Sequence, residues 1–245
     1  MSKYCFPRIL FASVLCLLFS GCSSLIDSFL LPEPELSAED LFETANDAMR
    51  DQNYALSISN FTKLKENYPF SPYVMEAELS LADAYYLDSD WLMAVEAYKE
   101  FEVMHPKHSA MPYVLYQIGL SSMKTYTSVD RPPTLIHEAI SYFIRLRESF
   151  PGDEYAEKSE EQIKQCRRTL AEYEVHMADF FFRIKRYRSA WMRYKNVIAE
   201  YRDIEDLYNY SLIQSSAAYA MQVEDEAEEN RKAREGGLYE FFKWL

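Results

Sequence analysis

Glycine is nearly missing from this 245-residue chain: Gly21, Gly119, Gly152, Gly236 and Gly237 are all it has. A phosphate-cradling loop or a dinucleotide fingerprint needs several glycines close together, so both are excluded. A turn-rich β-sandwich is disfavoured for the same reason. Basic residues are also few, with 26 Lys and Arg against 39 Asp and Glu, a net charge of -13. A sequence pI near 4.8 excludes a nucleic-acid backbone as partner, because phosphate binding needs clustered Lys and Arg. Gly-x-Ser-x-Gly and His-Glu-x-x-His are both absent. His105 and His108 flank Pro106 with no third ligand nearby, and His176 lies ten residues from Cys166, about 15 Å along a helix. No enzyme, metal or cofactor is therefore expected. Aromatics, by contrast, make up 16% of the chain, with 20 Tyr. That abundance beside so little glycine points to packed helices.

Residues 1–21 read as a signal peptide. Lys3 and Arg8 supply its positive start, and the apolar run from Ile9 to Phe19 is too short to span a bilayer, which takes ~20 residues. It ends in Leu18-Phe19-Ser20-Gly21-Cys22, which resembles the lipobox of bacterial lipoproteins, with Phe19 where an aliphatic residue is commoner. An ordinary signal peptide cut after a small residue is the plainer alternative. In the lipobox reading Cys22 carries the diacylglycerol and acyl groups and anchors the chain. Cys5 and Cys16 leave with the signal, so Cys166 has no internal disulfide partner. Losing Lys3 and Arg8 takes the net charge from -13 to -15, so the lipid must hold so acidic a surface at a membrane. Residues 22–36, with Pro32 and Pro34, read as a tether.

Four segments then fit the tetratricopeptide period of about 34 residues. Position 8 is small: Ala45, Ala82, Gly119 and Ala178. Position 20 is small: Ser57, Ala94, Ala139 and Ala190. Position 24 is aromatic: Phe61, Tyr98, Phe143 and Tyr194. Pro69, Pro106 and Pro151 close the first three repeats; the fourth has Arg202 there. Small residues let paired helices approach, aromatics fill the next layer, and proline ends each pair. The fold class is thus an all-α tetratricopeptide solenoid over residues 37–235, about five helix pairs with the last incomplete, followed by an aromatic tail at 236–245.

The spacing departs twice from the period. Gly119 and Ala139 are 20 residues apart, against 12 in the other repeats, which places an eight-residue insertion around Tyr126–Pro133. About twenty extra residues precede the fourth repeat, where Tyr155, Ile163, Cys166, Leu170, Tyr173 and Met177 predict one long helix from about Tyr155 to Phe182. Leu212, Ser216 and Tyr219 suggest a fifth first helix, Glu224–Arg234 a solvent-facing cap, and Gly236-Gly237 the end of that helix.

Positions 2, 5, 9, 12 and 13 of a tetratricopeptide first helix face the concave side. They include Phe42, Asn46 and Met49 in the first repeat, Leu79, Asp83 and Tyr86 in the second, and Tyr113 and Tyr116 in the third. This apolar and aromatic lining suits an extended peptide. Burial of the same residues by the tether or by inter-repeat packing is the alternative. Asn46 matches one residue of a carboxylate clamp, but Phe42 sits where that clamp needs Lys, which excludes it.

Lipobox, tether and divergent repeats together resemble the BamD family, tetratricopeptide lipoproteins of the outer-membrane β-barrel assembly machinery. The matching blocks are Tyr68-Pro69-Phe70-Ser71-Pro72-Tyr73, Asp83-Ala84-Tyr85-Tyr86, Tyr113-Val114 through Gly119-Leu120, Val129-Asp130-Arg131, and Leu170-Ala171-Glu172-Tyr173-Glu174 on to Arg193 and Tyr201. They cover about residues 40–205. The resemblance implies a protein on the periplasmic face of the outer membrane. Its first repeats would meet unfolded barrel precursors and its last the periplasmic domains of BamA, with Arg193 on that face. Other repeat lipoproteins, such as a secretin pilotin or a scaffold for peptidoglycan synthesis, are the competing readings.

Overall fold

The computed structural model describes residues 36–243, and side chains as far as residue 235. The signal peptide, Cys22, nearly all of the tether, and Trp244-Leu245 lie outside the described residues, as do the side chains of the rest of the tail. The chain forms α1 (Ala38–Arg50), α2 (Tyr54–Asn67), α3 (Val74–Leu87), α4 (Trp91–Met104), α5 (Met111–Lys124), α6 (Thr134–Ser149), α7 (Glu154–Arg183), α8 (Tyr187–Glu200) and α9 (Glu205–Lys243). No strand occurs among the described residues. Each helix packs on its neighbours in sequence, giving four antiparallel pairs and a lone last helix.

The helix starts are coded locally. Ser37 accepts from the amide of Asp40 while the Asp40 carboxylate accepts from that of Ser37, a reciprocal cap; the Ser37 hydroxyl, donating to the same carboxylate, and then its amide hold the Asp40 carboxyl below its usual range. Asn53, Asp90 and Asp153 cap α2, α4 and α7. The tight turns inside the first, second and fourth pairs each place one non-glycine residue in the left-handed region: Gln52, Ser89 and Lys185, with φ of 59°, 64° and 62°. The third pair replaces that turn with the inserted loop between α5 and α6.

The repeat pattern holds residue by residue. Ala45, Ala82 and Ala178 are buried, as are Ser57, Ala94, Ala139 and Ala190. The position-24 aromatics are among the largest side chains removed from solvent. Gly119 is small by necessity: a Cβ there would stand 2.5 Å from the Phe143 ring. On the outer side, ion pairs join successive second helices: Lys65–Glu100 at 2.5 Å, Lys99–Glu138 at 2.7 Å and Arg145–Glu102 at 2.6 Å.

The long helix runs Glu154–Arg183, one residue beyond the predicted bounds at either end. Two expectations for α9 fail. The face turned to the body is Ser211, Ser215 and Ala218, while Leu212, Ser216 and Tyr219 are exposed. Small residues permit the close approach of α8 and α9, and the bulkier stripe one residue on is left outside. The helix also runs through Gly236-Gly237 to Lys243. Glycine costs a helix interior only about 1 kcal/mol relative to alanine, too little to end a helix without an alternative partner for its amides.

Candidate functional site

Three expected groove residues meet in one place. Phe42, Asn46 and Met49 line a pocket of about 690 Å³, with Glu39, Glu43, Asp47, Arg50, Tyr73 and Glu76 around them. Its floor is aromatic: Phe42 stacks on Tyr73 at 5.2 Å and meets Phe61 edge-on at 6.1 Å. Asn46 is held in place by donating to the Phe42 carbonyl at 2.9 Å. Tyr73, which the concave-position pattern omits, comes from the turn after Pro72 and closes the pocket from the second repeat.

The other five expected residues are more committed to packing. Leu79 and Tyr86 are half-buried against the core between the second and third repeats. Tyr86 meets Trp91 edge-on at 5.1 Å, and the Lys124 ammonium lies 4.8 Å from the Trp91 ring centre. Tyr116 sits between Phe143 and Tyr155, at 5.8 and 5.4 Å.

Asp83 and Tyr113 belong to a polar staple. Asp83 Oδ1 accepts from the Tyr98 hydroxyl at 2.5 Å and from the Tyr113 hydroxyl at 2.6 Å, and Gln117 donates to Tyr113 at 2.9 Å. Three successive helices, α3, α4 and α5, are thereby joined at one oxygen. Burial pushes the Asp83 carboxyl above its usual range, with the two tyrosine hydrogen bonds working against that shift. Burial first, and then the nearby carboxylate, pushes both phenols upward, so they remain donors. The fourth repeat repeats the device: Asp179 Oδ1 accepts from Tyr194 and, at 3.0 Å, from Tyr210.

Arg193 lies on α8 and is about one-third exposed. It donates to Glu174 at 3.0 Å and stands 5.5 Å from the Phe181 ring, at the edge of a shallow pocket shared with Arg188, Ser189, Met192 and Asn196. Part of its guanidinium is thus engaged within the chain. A further apolar pocket of about 540 Å³ lies between the α3–α4 turn and the inserted loop, lined by Trp91, Leu92, Tyr126, Arg131 and Leu135 among others. Sequence reasoning located the insertion but not this pocket, since nothing in the local pattern brings Trp91 to Arg131. The loop is tied to the long helix by His176, whose Nε2 is 2.9 Å from Asp130.

Cys166 and His105 are both taken up in packing. Cys166 is buried and its thiol is pushed up to about 12 by that burial, so it stays protonated and unreactive. His105 bonds to Glu78 at 2.6 Å and packs on Phe101. Among the described residues no helix is long and apolar enough to cross a membrane, and no group of metal-binding side chains gathers.

Stacked helix pairs, close small-residue contacts and an aromatic concave face define a tetratricopeptide α-solenoid, a scaffold rather than an enzyme. More particularly, the chain belongs to the YfiO family of outer membrane lipoproteins, whose model matches residues 34–233. It is 28% identical over 228 residues to the outer membrane protein assembly factor BamD of Vibrio cholerae, covering 89% of this chain and 92% of that one. It is 26% identical over 208 residues to the assembly factor BamD of Neisseria meningitidis serogroup A, covering 80% and 78%. Among solved structures, a tetratricopeptide protein of Thermus thermophilus is similar at 14% identity, with a TM-score of 0.41 over 72% of this chain and all of that one.

Proposed function

We propose that the chain is an outer-membrane lipoprotein of the β-barrel assembly machinery, anchored through acylated Cys22 and facing the periplasm. Its first repeats receive unfolded barrel precursors, and its last repeats bind the periplasmic domains of BamA. The observation that carries the precursor reading is the pocket of Phe42, Asn46, Met49 and Tyr73. An open, aromatic-floored trough on a concave face suits an extended segment whose side chains alternate between floor and solvent. The family match and the relatives named as assembly factors support the assignment to this machinery over a pilotin or a cell-wall scaffold. At the other end, Arg193 keeps guanidinium donors beyond its bond to Glu174, and these suit a partner carboxylate.

Affinity purification of the tagged chain from detergent-solubilised envelopes tests the reading. BamA is expected to co-purify, and Arg193→Glu should weaken that recovery while helical content is unchanged. Recovery of a secretin or of cell-wall synthases without BamA would overturn it. Cys22→Ser should leave a folded protein that is lost from the outer membrane when BamA is depleted.

A further inference from the structure

The staple around Asp83 contains more charge than its structural role needs. Both tyrosine hydroxyls go to Oδ1. Oδ2 has no hydrogen-bond partner among the described residues and is not sealed from solvent. Asp179 is arranged in the same way, with Tyr194 and Tyr210 on Oδ1 and Oδ2 left over. Neither aspartate joins an ion pair among the described residues; the nearby Arg50 and Arg193 pair instead with Asp47 and Glu174.

A neutral residue would serve the staple. The Oδ1 of an asparagine accepts two hydroxyls as an aspartate oxygen does, without the cost of partly desolvating a charge. The half-buried carboxylates retained at the second and fourth repeats are charges without a counter-charge, and at Asp83 burial already raises the pKa. Both aspartates lie at position 9, on the concave side.

We propose that Asp83 and Asp179 are receptors for basic side chains, so that the segment bound on the concave face is cationic as well as aromatic. The tyrosines fix Oδ1 and leave Oδ2 as a preset acceptor for a Lys or Arg of the ligand. Charge complementarity favours the same occupant. Glu76 lies two turns before Asp83 on the same face of α3, about 10 Å away along the helix, Glu39 and Glu43 border the adjoining pocket, and the cations of this region are already engaged, Arg50 by Asp47 and Lys124 over the Trp91 ring. The aromatic floor takes the apolar side chains between the cations. This inference rests on the reading of the concave face as a peptide groove and extends that groove from the first repeats to the fourth, with BamA met by the α8 surface around Arg193.

The test uses the full chain in zwitterionic detergent and two synthetic peptides, one alternating Tyr with Lys and one alternating Tyr with Gln. Binding of the Tyr/Gln peptide tests the groove itself; the difference between peptides tests the receptors. The Tyr/Lys peptide is expected to bind about tenfold more tightly at low salt, and Asp83→Asn and Asp179→Asn should each remove a large part of that difference. Each variant is read as the ratio of its two affinities, which a general change in the groove would not move. A carbodiimide, which joins amines to adjacent carboxylates, should link the lysine peptide to Asp83 and Asp179 of the unaltered chain. This readout needs no variant to fold. Equal affinity for the two peptides, discrimination that survives both Asn substitutions, or crosslinks confined to other carboxylates would each overturn the proposal. If Tyr/Gln binds but the lysines add nothing, the groove stands and the receptors fall.

Discussion

The second and fourth repeats solve the same packing problem as the first and third by different means. All four bury an aromatic at position 24. Where position 9 is aspartate, in Asp83 and Asp179, that aromatic is tyrosine; where position 9 is Asn46 or Leu120, it is Phe61 or Phe143. A buried hydroxyl needs an acceptor, and a half-buried carboxylate needs donors, so the two positions change together. One pair of repeats is joined by directional bonds to the next helix, at Tyr113 and Tyr210; in the other, positions 9 and 24 make no such bond among the described residues. The third repeat makes its apolar version fit by shrinking position 8 to Gly119.

The sharpest way to break this contrast is Asp83→Ala. It strands the buried Tyr98 hydroxyl and the half-buried Tyr113 one, each costing about 1–3 kcal/mol when left without an acceptor, so a loss of roughly 2–4 kcal/mol in denaturant unfolding is expected. Asp83→Asn should cost much less. If the two substitutions unfold alike, the staple does not work through its acceptor.

The converse experiment installs a staple in the first repeat. Phe61→Tyr should lose about 1–3 kcal/mol only in an Asn46→Ala background, where its hydroxyl is buried unmatched; in the natural background the Asn46 Oδ1 is there to accept it. Asn46→Asp should hold it at least as well, and a double-mutant cycle measures the coupling. Additive effects would show that positions 9 and 24 do not communicate in that repeat.

In the third repeat, Gly119→Ala should cost roughly 1–2 kcal/mol, an overpacking cost, as the Phe143 ring gives way. An unchanged midpoint would mean that α5 and α6 can part without penalty.

The smallest effect is in pH. The Asp83 carboxyl is raised by burial, so protonation favours the folded form, and that contribution fades as pH rises through its folded pKa. From pH 7 toward 4, wild type should therefore gain stability relative to Asp83→Asn. Asp203 behaves oppositely. Its bond to Arg167 holds it low, so its contribution is present at neutral pH and lost on acidification, and wild type should lose ground to Asp203→Asn. Unfolding curves at several pH values distinguish the two signs.

These contrasts mark how far the sequence could be read. Spacing of 12 between small residues in three repeats, with proline after the first three pairs, located the helix pairs, and the apolar spacing after Pro151 placed α7 to within a residue, because packing at these positions is local and repeated. The register of α9 was not legible in the same way. With no following helix to pack against, its larger apolar residues carry no information about which face is covered. The groove was legible in part. Phe42, Asn46 and Met49 do share a pocket, but Tyr73 reaches it from a turn and Trp91 reaches its own from the start of a second helix, outside any first-helix pattern. The staple had a signal, the pairing of Asp with Tyr fifteen residues apart in two repeats of four, visible only when repeats are compared with one another.

The long helix has a consequence for how the molecule comes apart. A solenoid whose units touch only their neighbours can fray one unit at a time from either end. Here α7 packs against α5 and α6 as well as α8 and α9. Its residues enter three of the apolar clusters: Ala156 in one, Cys166 to Val175 in the next, and Ala178 in the last. Thirty residues of unbroken helix cannot be half folded at low cost, since the exposed half would surrender its cluster while the other kept its own. Unfolding from the C-terminal end should therefore stop at α8 or proceed through the third repeat in one step. Amide exchange would register the middle of the chain as a single cooperative block, with α1 and α2 free to open on their own.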